Sequence, residues 1–227
     1  MKRIVLGTFF LLVALSTSAF AVPGIQLFID GATYDNATGT WITTSNTFDL
    51  YVIAKDGISD VYVSMAIEDF AITDNPNAAG VAVNGVGSYN PWTYGYAPLS
   101  NDPATWDGGS ADLARHGEYP AWYSQFYAGS FGNSGKIGDA TGGTWSPTSG
   151  TVAPGNTYGS WRKFSIEVLG THAIHFDAFT LNADGTIDQF APFSHDASAI
   201  PEPTTVALFG LGLAGVGFLR RRKKRQA

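Results

Sequence analysis

The sequence predicts an all-β protein, a single antiparallel β-sandwich with long loops rich in glycine and aromatic residues, plus an N-terminal signal helix and a C-terminal transmembrane helix. Three observations predict this fold. Apolar residues recur with period two in residues 22–199, Gly, Asn, Asp and Pro separate those runs, and the two long apolar runs lie at the chain ends. Between the ends, no stretch of 12 residues has the 3.6-residue period of an amphipathic helix.

Composition narrows the class of protein. The 227 residues include no cysteine, which excludes a disulfide scaffold and a cysteine-ligated metal site. Residues 22–200 hold five basic and 18 acidic residues, so this part carries a net charge of −13. Such an acidic surface repels phosphate backbones, and nucleic acid is therefore not an expected partner.

The first element is a secretory signal peptide, residues 1–21. Two basic residues precede an apolar run from Ile4 to Leu15, and Ala19 and Ala21 stand at the −3 and −1 positions of a cleavage site. We expect signal peptidase to cut there, so that the mature chain begins at Val22.

The body, residues 22–199, is predicted to form the β-sandwich as one domain. Lys55–Gly57 and Ala183–Gly185 are predicted hairpin turns, because Gly readily takes the positive φ that such turns need. The period-two runs and bounded apolar runs predict strands at Ile25–Asp30, Thr40–Thr44, Phe48–Val52, Val61–Ile67, Gly80–Asn84, Trp161–Leu169 and His172–Leu181.

The middle of the body, residues 85–160, has a different composition. It holds 15 of the body's 22 glycines, which predicts long inserted loops, with a short helical turn at Ala111–Gly117. Two interpretations of its many rings stay open: exposed rings that stack on sugars, or rings that hold the loops over a second small core. The rings are Tyr89, Trp92, Tyr94, Tyr96, Trp106, Tyr119, Trp122, Tyr123, Phe126 and Tyr127.

One candidate metal site is a turn with the cadence of a calcium loop, containing Asn182, Asp184 and Asp188. The turn lacks an acid at the first loop position, Thr180, and a bidentate Glu at the twelfth, Ala191. A plain hairpin turn is therefore the alternative. No cofactor is predicted apart from weak binding of calcium, which the Asp-rich body favours.

Histidines supply the other candidate metal site. His116, His195 and Asp196 lie in loops that the fold could bring together, with loop imidazoles bonded to backbone carbonyls as the alternative. His172 and His175 are three residues apart in a predicted strand, so they point to opposite faces and do not form a chelating pair.

No catalytic residue is predicted. The motifs G-x-S-x-G and H-E-x-x-H and the phosphate-binding P-loop do not occur. Among the glycosidase candidates, Glu68 and Asp69 are adjacent in one predicted strand, so their carboxylates diverge and do not form a catalytic pair. Those candidates are Glu68, Asp69, Glu118 and Glu167.

The last element, residues 200–227, is predicted to be a sorting and anchor segment. Pro201, Glu202 and Pro203 precede a mostly apolar run, residues 204–219, about 24 Å long as a helix against ~30 Å of hydrocarbon. The run spans a membrane if basic side chains reach the headgroups. Six of them follow and hold this end on the cytoplasmic side: Arg220, Arg221, Arg222, Lys223, Lys224 and Arg225.

This ending resembles the PEP-CTERM sorting signal, in which Pro-Glu-Pro, a short Gly-rich apolar helix and a basic cluster follow in that order. The resemblance covers about 27 residues and implies processing by a membrane protease of the exosortase type. Such signals are typical of Gram-negative bacteria that make exopolysaccharide.

The body resembles the exported choice-of-anchor proteins of the N group, whose similar β-rich bodies are joined to different C-terminal anchors. This family has no established activity that the resemblance could assign to the chain. The segments that carry it are Ile25–Asp35, Thr47–Tyr51, His116–Pro120 with Trp122 and Tyr123, and Phe190–Ala197.

Together these features predict an exported, exosortase-sorted surface or extracellular-matrix protein, non-catalytic and of unknown molecular activity. Its expected course is across the inner membrane, then membrane-anchored facing outward, then on the surface or in the matrix after processing. Two alternatives stay open: a carbohydrate-binding module for exopolysaccharide, and a secreted glycan-active hydrolase.

Overall fold

The computed structural model describes residues 22–68, 73, 80–84, 86–88, 92–97, 113, 119–129, 131, 133–141, 157–192 and 196–200. These residues form strands, turns and irregular segments, and none of them is helical. No helix in this part of the chain is long and apolar enough to cross a membrane. The predicted signal helix, the run 204–219 and the predicted turn at Ala111–Gly117, apart from Leu113, lie outside the described residues.

The described chain forms fourteen strands. In chain order they are β1 (Ile25–Ile29), β2 (Thr33–Asp35), β3 (Thr40–Thr43), β4 (Thr47–Lys55), β5 (Val61–Ile67), β6 (Val81–Val83), β7 (Val86–Ser88), β8 (Thr93–Gly95), β9 (Ala121–Gly129), β10 (Asn133–Lys136), β11 (Tyr158–Val168), β12 (Ile174–Leu181), β13 (Ile187–Phe190) and β14 (Asp196–Ala199).

The strands form two sheets. The first sheet has the order β1-β4-β11-β6-β7, with β10 paired to β11. The second has the order β2-β3-β14-β12-β5-β9-β8, with β13 paired to β12. All pairs are antiparallel except β3 and β14, which run parallel with Thr40 opposite Asp196. The all-β, sandwich-like prediction is confirmed, and its purely antiparallel form is wrong at this one pair.

The main core lies between the two sheets. Along β1, Ile25, Leu27 and Ile29 are fully buried, and β12 contributes Ile174 and Phe176 from the facing sheet. Burying a side chain of this size stabilises the fold by roughly 1.5–3 kcal/mol. The period-two pattern predicts this core because alternate residues of a strand point to the same face.

A second, smaller core covers the outer face of the second sheet. Phe179 and Tyr123 rise from this face and pack with Ala97, Leu113 and Tyr119, which belong to segments outside the sheet. The backbone amide of Leu113 donates to the carbonyl of Ala97 at 3.0 Å. This part of the outer face of the second sheet is therefore covered, as the loop-packing interpretation of the aromatic middle predicts.

Two local predictions are wrong. Lys55–Gly57 does not close a hairpin, because β4 belongs to the first sheet and β5 to the second; Gly57 does have the predicted positive φ, 86°. The strands β7, β8, β9 and β10 lie in residues 85–160, the range predicted as loops, and β9 is the longest of them. Aromatic residues occupy both of its faces, so the alternation of a half-buried strand is lost. Ala183–Gly185, by contrast, joins β12 to β13 as predicted.

Candidate functional site

A row of polar side chains, all but one of them buried, crosses the outer face of the second sheet. In β12, His175 and Asp177 alternate with apolar residues that face the core, so both point outward. Strand pairing places Ser198 of β14 opposite His175, and Ser64 of β5 opposite Asp177. Glu68, directly after β5, and Tyr119, just before β9, complete what we call the polar row.

One end of the polar row joins the last strand to β12. The hydroxyl of Ser198 donates to Glu68 Oε1 at 2.6 Å, and His175 Nδ1 lies 3.1 Å from the same hydroxyl oxygen. A serine has one hydrogen, which Glu68 accepts, so Nδ1 is the donor in the second bond. On the other side of the ring, Nε2 lies 3.4 Å from Asp177 Oδ1.

The other end of the polar row joins β12 to the segment before β9. The Tyr119 hydroxyl donates to Asp177 Oδ2 at 3.3 Å, and its oxygen lies 2.6 Å from the Ser64 hydroxyl. Since the Tyr119 hydrogen is used, Ser64 is the donor between them. Asp177 and Ser64 are fully buried, and a buried carboxylate is stable only when such bonds replace its water. The polar row therefore ties β5, β12 and β14 to the loop over them.

Ser198, His175 and Asp177 are the residue types of an acyl-transfer triad, but their hydrogen bonds run differently. In a triad the serine hydroxyl donates to the imidazole, which acts as its base. Here that hydrogen goes to Glu68, and Ser198 is only 2% exposed. In this arrangement the row is suited to holding strands together.

In the candidate calcium turn, Asp184 and Asn182 make hydrogen bonds within the turn. Asp184 Oδ1 accepts from the Thr186 hydroxyl at 2.6 Å and from the Thr186 amide at 3.0 Å, and these bonds lower the pKa of Asp184. Asn182 donates to the Thr186 hydroxyl at 3.1 Å, while Asp188 is exposed on β13. Among the described residues no three His, Asp or Glu side chains are grouped to hold a metal. Calcium binding stays a prediction.

The remaining predicted chemical groups are spread over the molecule. Asp196 begins β14, while His116 and His195 lie outside the described residues. Glu68 belongs to the polar row, and Glu167 is exposed on β11 of the first sheet. Asp69 and Glu118 also fall outside the description.

Most of the described rings of the aromatic middle are packed rather than exposed. Trp92, Tyr119, Tyr123 and Phe126 are buried, whereas Tyr127 is 52% exposed. Tyr89 and Trp106 lie outside the described residues.

Tyr127 ends a ladder of rings across three strands. Its ring centroid lies 5.0 Å from that of Tyr62, which stacks on Phe179 at 5.8 Å. The Tyr127 hydroxyl donates to Asp60, and this bond lowers the pKa of Asp60 and raises the pKa of Tyr127.

Sequence reasoning missed the polar row, although one signal was present. The strand sequence Ile-His-Phe-Asp-Ala-Phe places His175 and Asp177 two residues apart in an otherwise apolar run, which puts both on one face. No comparable signal marked Ser198 or Tyr119, because their role depends on which strands pair.

The end of the body leads directly into the predicted sorting segment. β14 ends at Ala199, and the amide of Ile200 donates to the Thr43 carbonyl at 2.8 Å. The predicted functional residues at the chain ends lie outside the described residues: Ala19, Ala21, Pro201, Glu202, Pro203, and the basic cluster 220–225.

Residues 199–223 match the model of the PEP-CTERM protein-sorting motif. This motif indicates an exported protein of the exosortase-sorted type and implies processing by exosortase, a membrane protease. It also indicates a membrane-anchored C-terminal sorting signal. No curated protein matches the chain. The resemblance of the body to choice-of-anchor proteins stays a prediction.

Proposed function

We propose that the chain is a surface or extracellular-matrix protein that reaches its place through exosortase-type sorting and acts there as a folded, non-catalytic module. The observation that carries this proposal is the sorting motif at residues 199–223, which begins in the last strand of the body. With a signal peptide at residues 1–21 and a sorting signal at the other end, residues 22–199 are what the pathway delivers.

Within the sorting signal, the apolar run 204–219 acts as a stop during export. It spans the inner membrane with Arg220–Arg225 on the cytoplasmic side and the body outside. Because this run is short for a span, its retention depends on the basic cluster. Processing at the Pro-Glu-Pro motif then separates the body from the tail.

The hydrogen bonds of the polar row support a non-catalytic body. Nucleophilic catalysis needs a hydroxyl that faces the substrate and a base that takes its proton. The Ser198 hydroxyl is buried and donates to Glu68 instead. A glycan-active hydrolase, the enzyme alternative, needs a pair of facing carboxylates. Of its two described candidates, Glu68 is hydrogen-bonded to Ser198 beside the second sheet, whereas Glu167 is exposed on β11 of the first sheet.

The test is the size and location of variants in the native host, followed by immunoblot of envelope, medium and matrix. Deletion of residues 201–227 should release soluble body into the medium. Neutral residues in place of Arg220–Arg225 should weaken membrane retention. Glu202→Gln should insert normally but stay unprocessed, at higher apparent mass. An envelope-bound pattern that is unchanged by the deletion would contradict the proposal.

Binding of the cell's own exopolysaccharide is the second candidate function, favoured by the exposed ring of Tyr127 beside the Asp60 carboxylate. Sugar rings stack on aromatic faces and hydrogen-bond to neighbouring carboxylates. In affinity electrophoresis with the purified exopolysaccharide of the host, Tyr127→Ala should then remove the retardation of the body. Tyr158→Ala is the matched control, because Tyr158 is equally exposed, at 51%. Equal retardation of the two variants would exclude this site.

A further inference from the structure

We infer that the end of the sandwich from which the sorting segment leaves rests on the lipid surface of the membrane, with Leu169 and Ile200 as its contacting side chains. This inference rests on the proposed function, in which residues 204–219 are inserted in that membrane. We call this end the exit end.

Backbone hydrogen bonds define the exit end. Ile200 donates to Thr43, and Val168 donates to Asn46 at 2.7 Å, so the ends of β14 and β11 meet the loop that joins β3 to β4. Leu169 donates to Gly80 at 2.8 Å beside the same loop. The chain that leads to the sorting motif therefore emerges at the same end of the body as Leu169.

Leu169 and Ile200 are exposed although both are apolar. Leu169 is 52% exposed and Ile200 39%. The other large apolar side chains exposed in the described chain are aromatic, Tyr127, Tyr158 and Phe190, and strand pairing places them toward the opposite end. The two exposed aliphatic side chains are thus both at the exit end, where they suit a lipid surface.

The chain between the body and the apolar run is short. Three residues, Pro201, Glu202 and Pro203, separate Ile200 from Thr204. Even fully extended, the distance from Ile200 to Thr204 is at most about 14 Å. The headgroup layer occupies about 5–8 Å of that distance. The exit end must therefore lie at the headgroups whenever the tail is inserted.

The charge at the exit end fits such contact. The loops 44–46 and 169–173 contain no acidic residue, lysine or arginine, although the body as a whole has a net charge of −13. Glu68 is turned to Ser198, and Glu167 is on the outer face of the first sheet. At the opposite end, the turns carry Asp56, Asp60 and Asp184. Carboxylates are repelled by anionic headgroups, so these two described loops can approach the headgroups more closely than the turns at the opposite end can.

The test uses the absence of cysteine from the chain, which allows single labels. Leu169→Cys, Ile200→Cys and, as control, Tyr158→Cys are made in the mature full chain from Val22 and labelled with a fluorophore. Each is reconstituted in vesicles of phosphatidylethanolamine and phosphatidylglycerol that contain a lipid with a nitroxide on its headgroup. We expect quenching at positions 169 and 200 to exceed that at 158 several-fold.

Resistance of the chain to alkaline carbonate extraction shows separately whether the tail, residues 204–219, is inserted in the membrane. Loss of insertion would overturn the proposed anchor and this inference with it. Stable insertion with equal quenching at 169 and 158 would overturn this inference and leave the proposed function standing. The label at position 169 could instead be shielded only when the processing protease is reconstituted in the same vesicles. That result would show that the exit end docks on protein, and the inferred lipid contact would be wrong.

Discussion

Removal of one buried hydroxyl, by Ser198→Ala, should destabilise the body far more than removal of a similar exposed hydroxyl. Ser198 joins the Glu68 carboxylate at 2.6 Å to His175 Nδ1 at 3.1 Å. Alanine leaves both partners without this bond: His175 is buried, and Glu68 is half-buried with 27% of its side chain exposed. The matched control is Ser165→Ala, because Ser165 also donates to a carboxylate, Asp49, at 3.0 Å, but on the exposed face of β11.

The magnitude follows from burial. Loss of a buried hydrogen bond to a charged group costs about 1.5–3 kcal/mol, and a second bond is lost as well, so we expect the free energy of unfolding to fall by about 2–3 kcal/mol. For a domain of this size, each kcal/mol lowers the Tm by roughly 2–4 °C, which predicts a fall of about 4–12 °C. The exposed control should change the free energy of unfolding by no more than about 0.5 kcal/mol.

The assay is thermal and urea unfolding of residues 22–200, with circular dichroism as the signal that monitors unfolding of each variant. Equal urea m-values show that the comparison concerns stability rather than a change in the denatured state. If Ser198→Ala and Ser165→Ala lower the Tm equally, the polar row does not hold the strands together and the reasoning is refuted.

Two further predictions concern packing and ionisation. Gly159→Ala should lower the free energy of unfolding by about 1–3 kcal/mol, because the new Cβ would collide with the Ala54 carbonyl and lie 2.6 Å from Ile137 Cδ1. The control is Gly135→Ala on the paired strand, where the new Cβ would meet only Trp161, at 3.5 Å. If urea unfolding shows that both variants lose the same free energy of unfolding, the prediction is contradicted. Burial raises the pKa of Tyr123 from 10.0 to about 12, so its contribution to stability is complete below pH 10 and is lost as pH rises toward 12. Tyr123→Phe should therefore flatten the decline of Tm over that pH range. Tyr158→Phe, which replaces an exposed tyrosine, should leave that decline unchanged.

Seven of the fourteen strands of the described chain could be predicted from the sequence, since period two is a local property. Val61–Ile67 alternates apolar core residues with residues of the outer face, and the observed β5 has those bounds. The turn at Gly185 was likewise visible, because its residue types suit a positive φ. β9 escaped prediction because aromatic residues lie on both of its faces, so it lacks a regular alternation of apolar and polar residues.

The polar row could be predicted only in part. His175 and Asp177 lie two residues apart in one strand, so local sequence puts them on one face. Ser198 reaches His175 only because β14 pairs with β12, and Tyr119 reaches Asp177 from 58 residues away. Side chains on separate strands become neighbours through register, which is not a property of either strand alone.

The sequence by itself determined the all-β character of the body and the sorting segment that follows it, because periodicity and a contiguous motif are both read along the chain. Only the tertiary structure decided that β14 lies parallel to β3 and beside β12, in the interior of the second sheet. The direction of a strand and its neighbours in the sheet depend on how segments that are distant in sequence pack together, so they are not determined by the sequence of that strand alone. The same arrangement seals the polar row and brings Leu169 and Ile200 to the end from which the sorting segment leaves.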